Sequence, residues 1–303
     1  MMIIMIDQKL ITLLKVVETK NFSLAAKQLN LTQPAVSQHI RQLEKENNIH
    51  IFNRDGNDIK LTQSGEILVK YARRILSTYH DLDTKLSDAK KQSRSLTIGI
   101  TRTSESNIVA EVLADYSIKN KGTHIKIISD TIKNLYDKLS TYEIDIAVIE
   151  GNVKSGKYSN VLLDTDSLMA VICNDSPLAK KKIVNINDLK NEKMILRTAG
   201  SGTRNLFLSQ LENINLDIDD FNVILEIDNI ATIKDLVEKD IAVSVLPKSC
   251  CYGELKTKKL TVLPIENMNM IREINLVFNK DSIEANILDD LLDCYKEKTI
   301  SIK

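Results

Sequence analysis

Tryptophan is missing from this 303-residue chain, and aromatic residues make up only 4% of it. That scarcity argues against a carbohydrate cleft or a groove that stacks single-stranded bases, since both lean on aromatic faces. Cysteine is also rare. Cys173, Cys250, Cys251 and Cys294 show neither zinc-ligand spacing nor a CxxC pair, and read as reduced thiols. For the adjacent Cys250-Cys251 pair, a redox-sensing role and an incidental packed one both stay open. No run approaches the roughly 20 apolar residues of a membrane span. The opening Met1-Met2-Ile3-Ile4-Met5-Ile6 lacks a basic n-region and a small-residue cleavage site. No signal peptide is expected, and the reading is a cytoplasmic protein without a membrane partner. The histidines (His39, His50, His80, His124) are scattered, and neither paired metal ligands nor a Walker-type loop occurs. Gly200-Ser201-Gly202 is not GxSxG and has no histidine nearby in sequence. Catalytic residues, metal and cofactors are therefore expected to be none, and the chain is read as a non-enzyme.

What is present fits a soluble protein of two or three domains: 43% hydrophobic residues, with 41 Lys and Arg balancing 41 Asp and Glu. The balance is uneven along the chain. Residues 1–94 carry 15 basic against 10 acidic side chains, and the remainder has the opposite excess. A nucleic-acid-binding head on an acidic body gives this pattern, and so does a solvated helix face.

Patterning shifts the balance between the two. Leu10, Leu13, Leu14, Val16 and Val17 recur at helical spacing up to Lys20-Asn21. Phe22-Ser23 opens a short second helix, with Ser23 as its expected N-cap and Ala25 and Ala26 allowing close approach of a neighbour. After the turn at Asn30-Leu31, Thr32 can cap a third helix with Pro34 in its first turn. Val36, Ile40 and Leu43 share its inner face, and Pro34, Ser37, Gln38 and Arg41 share the outer one. Those outer groups suit base edges and phosphates in a major groove. Ile49–Phe52 and Ile59–Leu61 read as the strands of a small wing, with Arg54 at its start placed to reach the minor groove or backbone.

The run from Phe22 to Leu29, then Thr32-Gln33-Pro34-Ala35-Val36-Ser37-Gln38-His39-Ile40, Leu43-Glu44, Phe52-x-Arg54 and Leu61-Thr62-Gln63-Ser64-Gly65-Glu66 resembles LysR-type transcriptional regulators. The resemblance implies double-stranded DNA as partner, with contacts by Gln33, Pro34, Ser37 and Arg41 and with Arg54 at the minor groove. With Ser23, Thr32 and Gln38 added, these form the expected DNA-binding set. Family members often carry a basic residue at Gln38 and a more basic wing. Here Asp55 and Asp58 imply weaker non-specific binding.

Thr62 can cap a long helix that runs unbroken to about Gln92. Leu68, Ala72, Ile75, Tyr79, Leu82 and Leu86 alternate at spacings of four and three, a coiled-coil seam expected to pair two chains. Such pairing sets two recognition helices about a two-fold axis, matching a pseudo-palindromic operator. The resemblance implies a homodimer, often a homotetramer.

After a polar stretch at residues 90–95, strands and helices alternate. A first βαβαβ set ends at Ile149 and predicts a parallel sheet; a second set begins at Leu168–Cys173; strand Ile274–Phe278 and helix 283–297 return to the first lobe. The expected architecture is α+β multidomain: a winged helix-turn-helix at 1–61, a linker helix at 62–93, and a two-lobed α/β effector-binding domain at 94–303. Lobe I takes about 95–163 and 268–303, and lobe II about 164–267. The stretches 145–151, 177–179 and 196–204 are similar to the family's effector domain, which resembles periplasmic solute-binding proteins. Ligands of open α/β sheets bind beyond the carboxyl ends of strands, near helix N-termini, which favour an anion or carboxylate. That singles out Thr101-Arg102-Thr103-Ser104, Ser201-Gly202-Thr203 and Asn229 as effector contacts, and the resemblance over 145–151 adds Gly151. The expected function is sequence-specific transcription regulation, with DNA binding or bending set by a small anionic effector and read out by RNA polymerase. The loop from Arg197 to Arg204 looks similar to regulators of sulfur or carbon assimilation.

Overall fold

The computed structural model describes residues 6–53, 59–153, 156–280 and 283–302. The chain divides into two compact units. One comprises residues 1–95 with 137–143, and the other residues 96–136 with 144–303.

In the first unit, short polar side chains fix where each helix starts. Asp7 accepts from the Lys9 amide at 2.9 Å and opens α1 (Gln8–Thr19). The second helix, α2 (Phe22–Leu29), is capped by Asn21, whose Oδ1 accepts from the Leu24 amide at 2.9 Å. The cap expected at Ser23 therefore lies two residues earlier, and Ser23 sits inside the first turn. Thr32 Oγ1 accepts from the Ala35 amide and starts α3 (Gln33–Asn47), with Pro34 in its first turn. Ala25, Ala26 and Val36 are buried together with Val16, and Leu13, Ile40 and Leu43 pack beside Ile51 and Val69. Among the described residues the wing shows one antiparallel bridge, Phe52 to Leu61, with the Asn53 amide donating to the Lys60 carbonyl at 2.8 Å. Arg54 lies outside the described residues.

Thr62 Oγ1 accepts from the Gly65 amide at 2.9 Å and opens the 29-residue α4 (Gln63–Lys91). Gly65 is required by packing, because a Cβ there would stand 2.1 Å from the Ile51 carbonyl oxygen.

From residue 94 onward the elements run β1 (Arg94–Thr101), α5 (Val109–Lys119), β2 (Thr123–Asp130), α6 (Ile132–Ser140), β3 (Ile146–Glu150) and β4 (Ser159–Cys173). Then follow α7 (Ile186–Lys190), β5 (Lys193–Arg197), α8 (Gly202–Asn213), β6 (Asn222–Ile227), α9 (Ile230–Glu238) and β7 (Val243–Pro247). The last are α10 (Tyr252–Lys256), β8 (Leu260–Leu263), β9 (Ile271–Phe278) and α11 (Ala285–Ile302). The strand order is β2-β1-β3-β9-β4-β7-β5-β6, with β8 paired to β4. β1 and β3 are parallel, as are β5 with β6 and with β7. β9 runs antiparallel to β3 and β4, so the sheet is mixed rather than wholly parallel.

Two strands join the lobes. β4 pairs with β9 over Ser159–Ser167 and with β7 from Leu168 onward, so it starts nine residues before the strand expected at Leu168. Its first half carries Asp164, Thr165, Asp166 and Ser167, a polar stretch that hides strand character. Lobe I packs Ile98, Ile100, Val112, Leu276 and Leu291 between its sheet and α5 and α11. Lobe II has cores on both sheet faces, around Ile172, Leu196 and Phe207 and around Val171, Ile195 and Ile233.

Candidate functional site

Two regions concentrate chemistry. The first is the outer face of α3. With Val36, Ile40 and Leu43 in the core, helical geometry turns Gln33, Pro34, Gln38 and Arg41 outward, where all four are exposed. Gln33 Nε2 donates to Ser37 Oγ at 3.0 Å, which holds two polar side chains in register. Arg41 forms no ion pair among the described residues, so its five donors face solvent. Below this face Glu44 accepts from the Ile51 amide at 2.8 Å and fixes the entry to the wing.

The expected seam on α4 divides. Leu68 and Ala72 pack within their own unit. Further along, Ile75, Leu82 and Leu86 are 48%, 45% and 55% exposed, with Tyr79 half-buried beside them. Ile6, Tyr71, Ile75, Tyr79 and Leu82 line an apolar groove of about 700 Å³. An apolar stripe of this length on a single chain is large for a surface that stays solvated.

The second region is a cavity of about 640 Å³ within the second unit, at the carboxyl ends of β1, β3, β5 and β6. Thr101, Arg102, Thr103, Gly151, Ser201 and Gly202 line it. Ser104, Thr203 and Asn229 do not. Ser104 belongs to a short 3-10 turn, and α5 starts only at Val109, so no α-helix N-terminus follows the first strand directly. Thr203 is buried and Asn229 caps α9 by accepting from the Thr232 amide at 3.1 Å.

Groups not singled out from sequence organise the cavity. Glu150, at the end of β3, accepts from Thr101 Oγ1 at 2.8 and 2.7 Å and from Ser104 Oγ at 2.5 Å. Arg197 is 3% exposed at the end of β5; it donates to Asp228 at 3.1 Å and to Thr103 Oγ1 at 3.4 Å. Arg102 also pairs with Asp228. Arg272, 8% exposed on β9, donates to Asp166 at 3.4 Å and to Thr203 Oγ1 at 3.5 Å. Asp166 in turn accepts from Ser249 Oγ at 2.7 Å and the Ser249 amide at 3.2 Å. Burial, followed by the nearby positive charge of Arg272 and Arg102, pulls the Arg197 guanidinium below its usual range. It stays charged, since arginine begins far above neutral pH.

Three buried donors in this network have no partner among the described residues: Arg197 Nε, Arg272 Nε and Ser201 Oγ. Ser201 stands at the start of α8 without making a side-chain cap, so its hydroxyl and the helix N-terminus are both open. Opposite lies the start of α6, with Ile132 Cδ1 3.8 Å from where a Cβ on Gly202 would stand. Unmet donors are costly in a buried site, and acceptors supplied by a ligand would satisfy them.

Cys250 and Cys251 are buried, and burial pushes both thiols up, Cys251 to about 12. Thiols kept protonated in this way are poor nucleophiles, and the Cys250 thiol instead donates to the Thr103 carbonyl at 3.5 Å.

Comparison with known proteins follows the same division. Residues 8–66 match the model of the bacterial regulatory helix-turn-helix protein, lysR family, and residues 89–299 that of the LysR substrate binding domain. A "Probable RuBisCO transcriptional regulator" of Trieres chinensis is 28% identical over 91% of this chain and 92% of its own length. "HTH-type transcriptional regulator CysL" of Bacillus subtilis is 26% identical over 88% of both chains. Among solved structures, full-length CbnR complexed with target DNA aligns with a TM-score of 0.68 at 16% identity, over 96% of this chain and 98% of that one. Full-length OxyR from Pseudomonas aeruginosa aligns with a TM-score of 0.63 at 19% identity, over 95% and 96%. No described helix is long and apolar enough to cross a membrane.

Proposed function

The chain belongs to the LysR family of DNA-binding transcriptional regulators, and from that premise we propose which residues bind DNA, effector and partner chain. The outer face of α3, through Gln33, Pro34, Ser37, Gln38 and Arg41, reads a major groove, with Ser23 and Thr32 at the helix starts near the phosphates and Arg54 at the flanking minor groove. The stripe from Ile75 through Tyr79 and Leu82 to Leu86 pairs two copies, which then meet a pseudo-palindromic operator; tetramers form through the second unit. Leu68 and Ala72 support this stripe from within the chain.

The cleft receives a small effector that presents an anionic group. The observation that carries this reading is the set of three buried, unpartnered donors on the cavity. Thr101, Arg102, Thr103, Gly151, Ser201 and Gly202 contact it, and Ser104, Thr203 and Asn229 act behind them. Binding favours one arrangement of the lobes, and the resulting repacking in the oligomer changes DNA spacing and bend, and so contact with RNA polymerase. The protein works in the cytoplasm and performs no catalysis. The names of its relatives point to genes of carbon or sulfur assimilation.

Fluorescence anisotropy on the DNA upstream of the protein's own gene tests the assignment. Expected is tight binding whose logarithm falls linearly with that of the salt concentration, and which weakens in Arg41→Ala. Equal binding of wild type and variant at every salt concentration overturns the assignment of α3.

A further inference from the structure

The cavity walls carry opposite unmet demands. On the lobe II side stand the open N-terminus of α8 and the Ser201 hydroxyl, with Arg272 beside them on β9, and both side chains offer buried donors with no acceptor. These groups call for an anion. On the lobe I side stands Glu150, 7% exposed. Its carboxylate is held by the Thr101 and Ser104 hydroxyls alone, and it makes no ion pair among the described residues. Two hydroxyls solvate a carboxylate only in part, and a buried charge without a direct ion pair is expensive.

The charge of the lining sharpens this. Three arginines face four carboxylates there, one net negative charge. Asp228 is already paired with two of those arginines, Arg102 and Arg197, and Arg272 is paired with Asp166. Of the other three lining carboxylates, Glu273 is exposed and Asp130 half-buried, and Glu150 is the buried one without an ion pair among the described residues. A simple anion would satisfy the donors but deepen the negative charge beside it. A ligand carrying an acid and an amine together answers both walls and leaves the net charge unchanged.

We infer that the cleft takes a small zwitterion of the amino-acid class, its acid group on Ser201, Arg272 and the start of α8, and its ammonium on Glu150. This rests on the reading of the cleft as the effector site. Ile132, Leu206 and Ile271 line the rest of the cavity and receive the ligand's apolar portion.

The test is isothermal titration of the full-length protein with the common α-amino acids, each compared with the 2-hydroxy acid that has the same side chain. At least one amino acid is expected to bind, with its 2-hydroxy counterpart weaker by roughly ten- to hundredfold, the worth of one buried charged hydrogen bond. In Glu150→Gln that preference is expected to collapse while the acid end still binds. Because the main comparison is made on the wild type, a variant that folds poorly does not decide it. Hydroxy acids binding as tightly as amino acids overturn the zwitterion and leave the effector cleft standing. Binding of neither class overturns both.

Discussion

Gly65→Ala separates packing from propensity. An added methyl would stand 2.1 Å from the Ile51 carbonyl oxygen and 3.0 Å from its carbon. Ordinary contact distance is above about 3.2 Å, so the start of α4 must retreat by roughly 1 Å. The same carbonyl accepts from the Thr62 amide at 3.0 Å, and Thr62 Oγ1 donates to the His50 carbonyl at 2.5 Å, so retreat strains the cap as well. Overpacking costs about 1–3 kcal/mol and a stretched hydrogen bond about 0.5–1.5 kcal/mol. The sum, about 1.5–4.5 kcal/mol, opposes the gain of up to about 1 kcal/mol that alanine brings to a helix interior. Gly253 in α10 has open space around it, so Gly253→Ala is expected to stabilise by about 0.5–1 kcal/mol. Without tryptophan, the assay is hydrogen exchange by mass spectrometry on the full chain in increasing urea. The α1–α3 peptides of Gly65→Ala should lose protection at lower urea than wild type, and those around α10 in Gly253→Ala at higher urea. Wild-type protection in Gly65→Ala would refute the close approach of α4 to Ile51.

Arg41→Ala should weaken operator binding by about 1–3 kcal/mol, roughly 5- to 150-fold in Kd, measured by anisotropy at fixed salt. Ile75→Glu combined with Leu82→Glu should turn the oligomer into monomers in sedimentation velocity while leaving helix content intact, because both side chains are substantially exposed in one chain. Arg272→Met strands the buried Asp166, and urea denaturation should show a loss of about 3 kcal/mol, smaller in the double variant with Asp166→Asn. Asp188 is held below the usual carboxylate range by the Lys181 ammonium, with the Asn185 amide adding to it. Its folded-state pKa is depressed, so its stabilisation is full above the unfolded value and fades as pH falls through the folded one. Asp188→Asn should lower stability from neutral pH upward and flatten that acid limb in pH-dependent denaturation, leaving stability at the acid end unchanged.

What the sequence revealed was local. Thr32 and Thr62 cap their helices through amides three residues on, and Val36, Ile40 and Leu43 define an inner face, so the exposure of Gln33, Gln38 and Arg41 follows from spacing. Asn21 and Ser23 are both competent caps, and only the observed bond to the Leu24 amide decides between them. The cleft lay beyond such reasoning. Glu150 meets partners 49 and 46 residues earlier, and Arg272 meets Asp166 at a separation of 106. Thr101 and Ser104 look like helix-start hydroxyls until Glu150 engages them. The strand expected at Leu168 starts earlier, at Ser159, because the polar side chains of its first half serve the junction between lobes and not a core. A buried arginine also gives no sign of its burial in a single sequence.

Footprinting of the purified protein on its own upstream DNA, at several salt concentrations, tests the central claim most directly. Protection of a two-fold-symmetric site is expected, with half-sites about one helical turn or a multiple apart, fading steeply as salt rises. Folded protein that leaves this DNA unprotected even at low salt would contradict it.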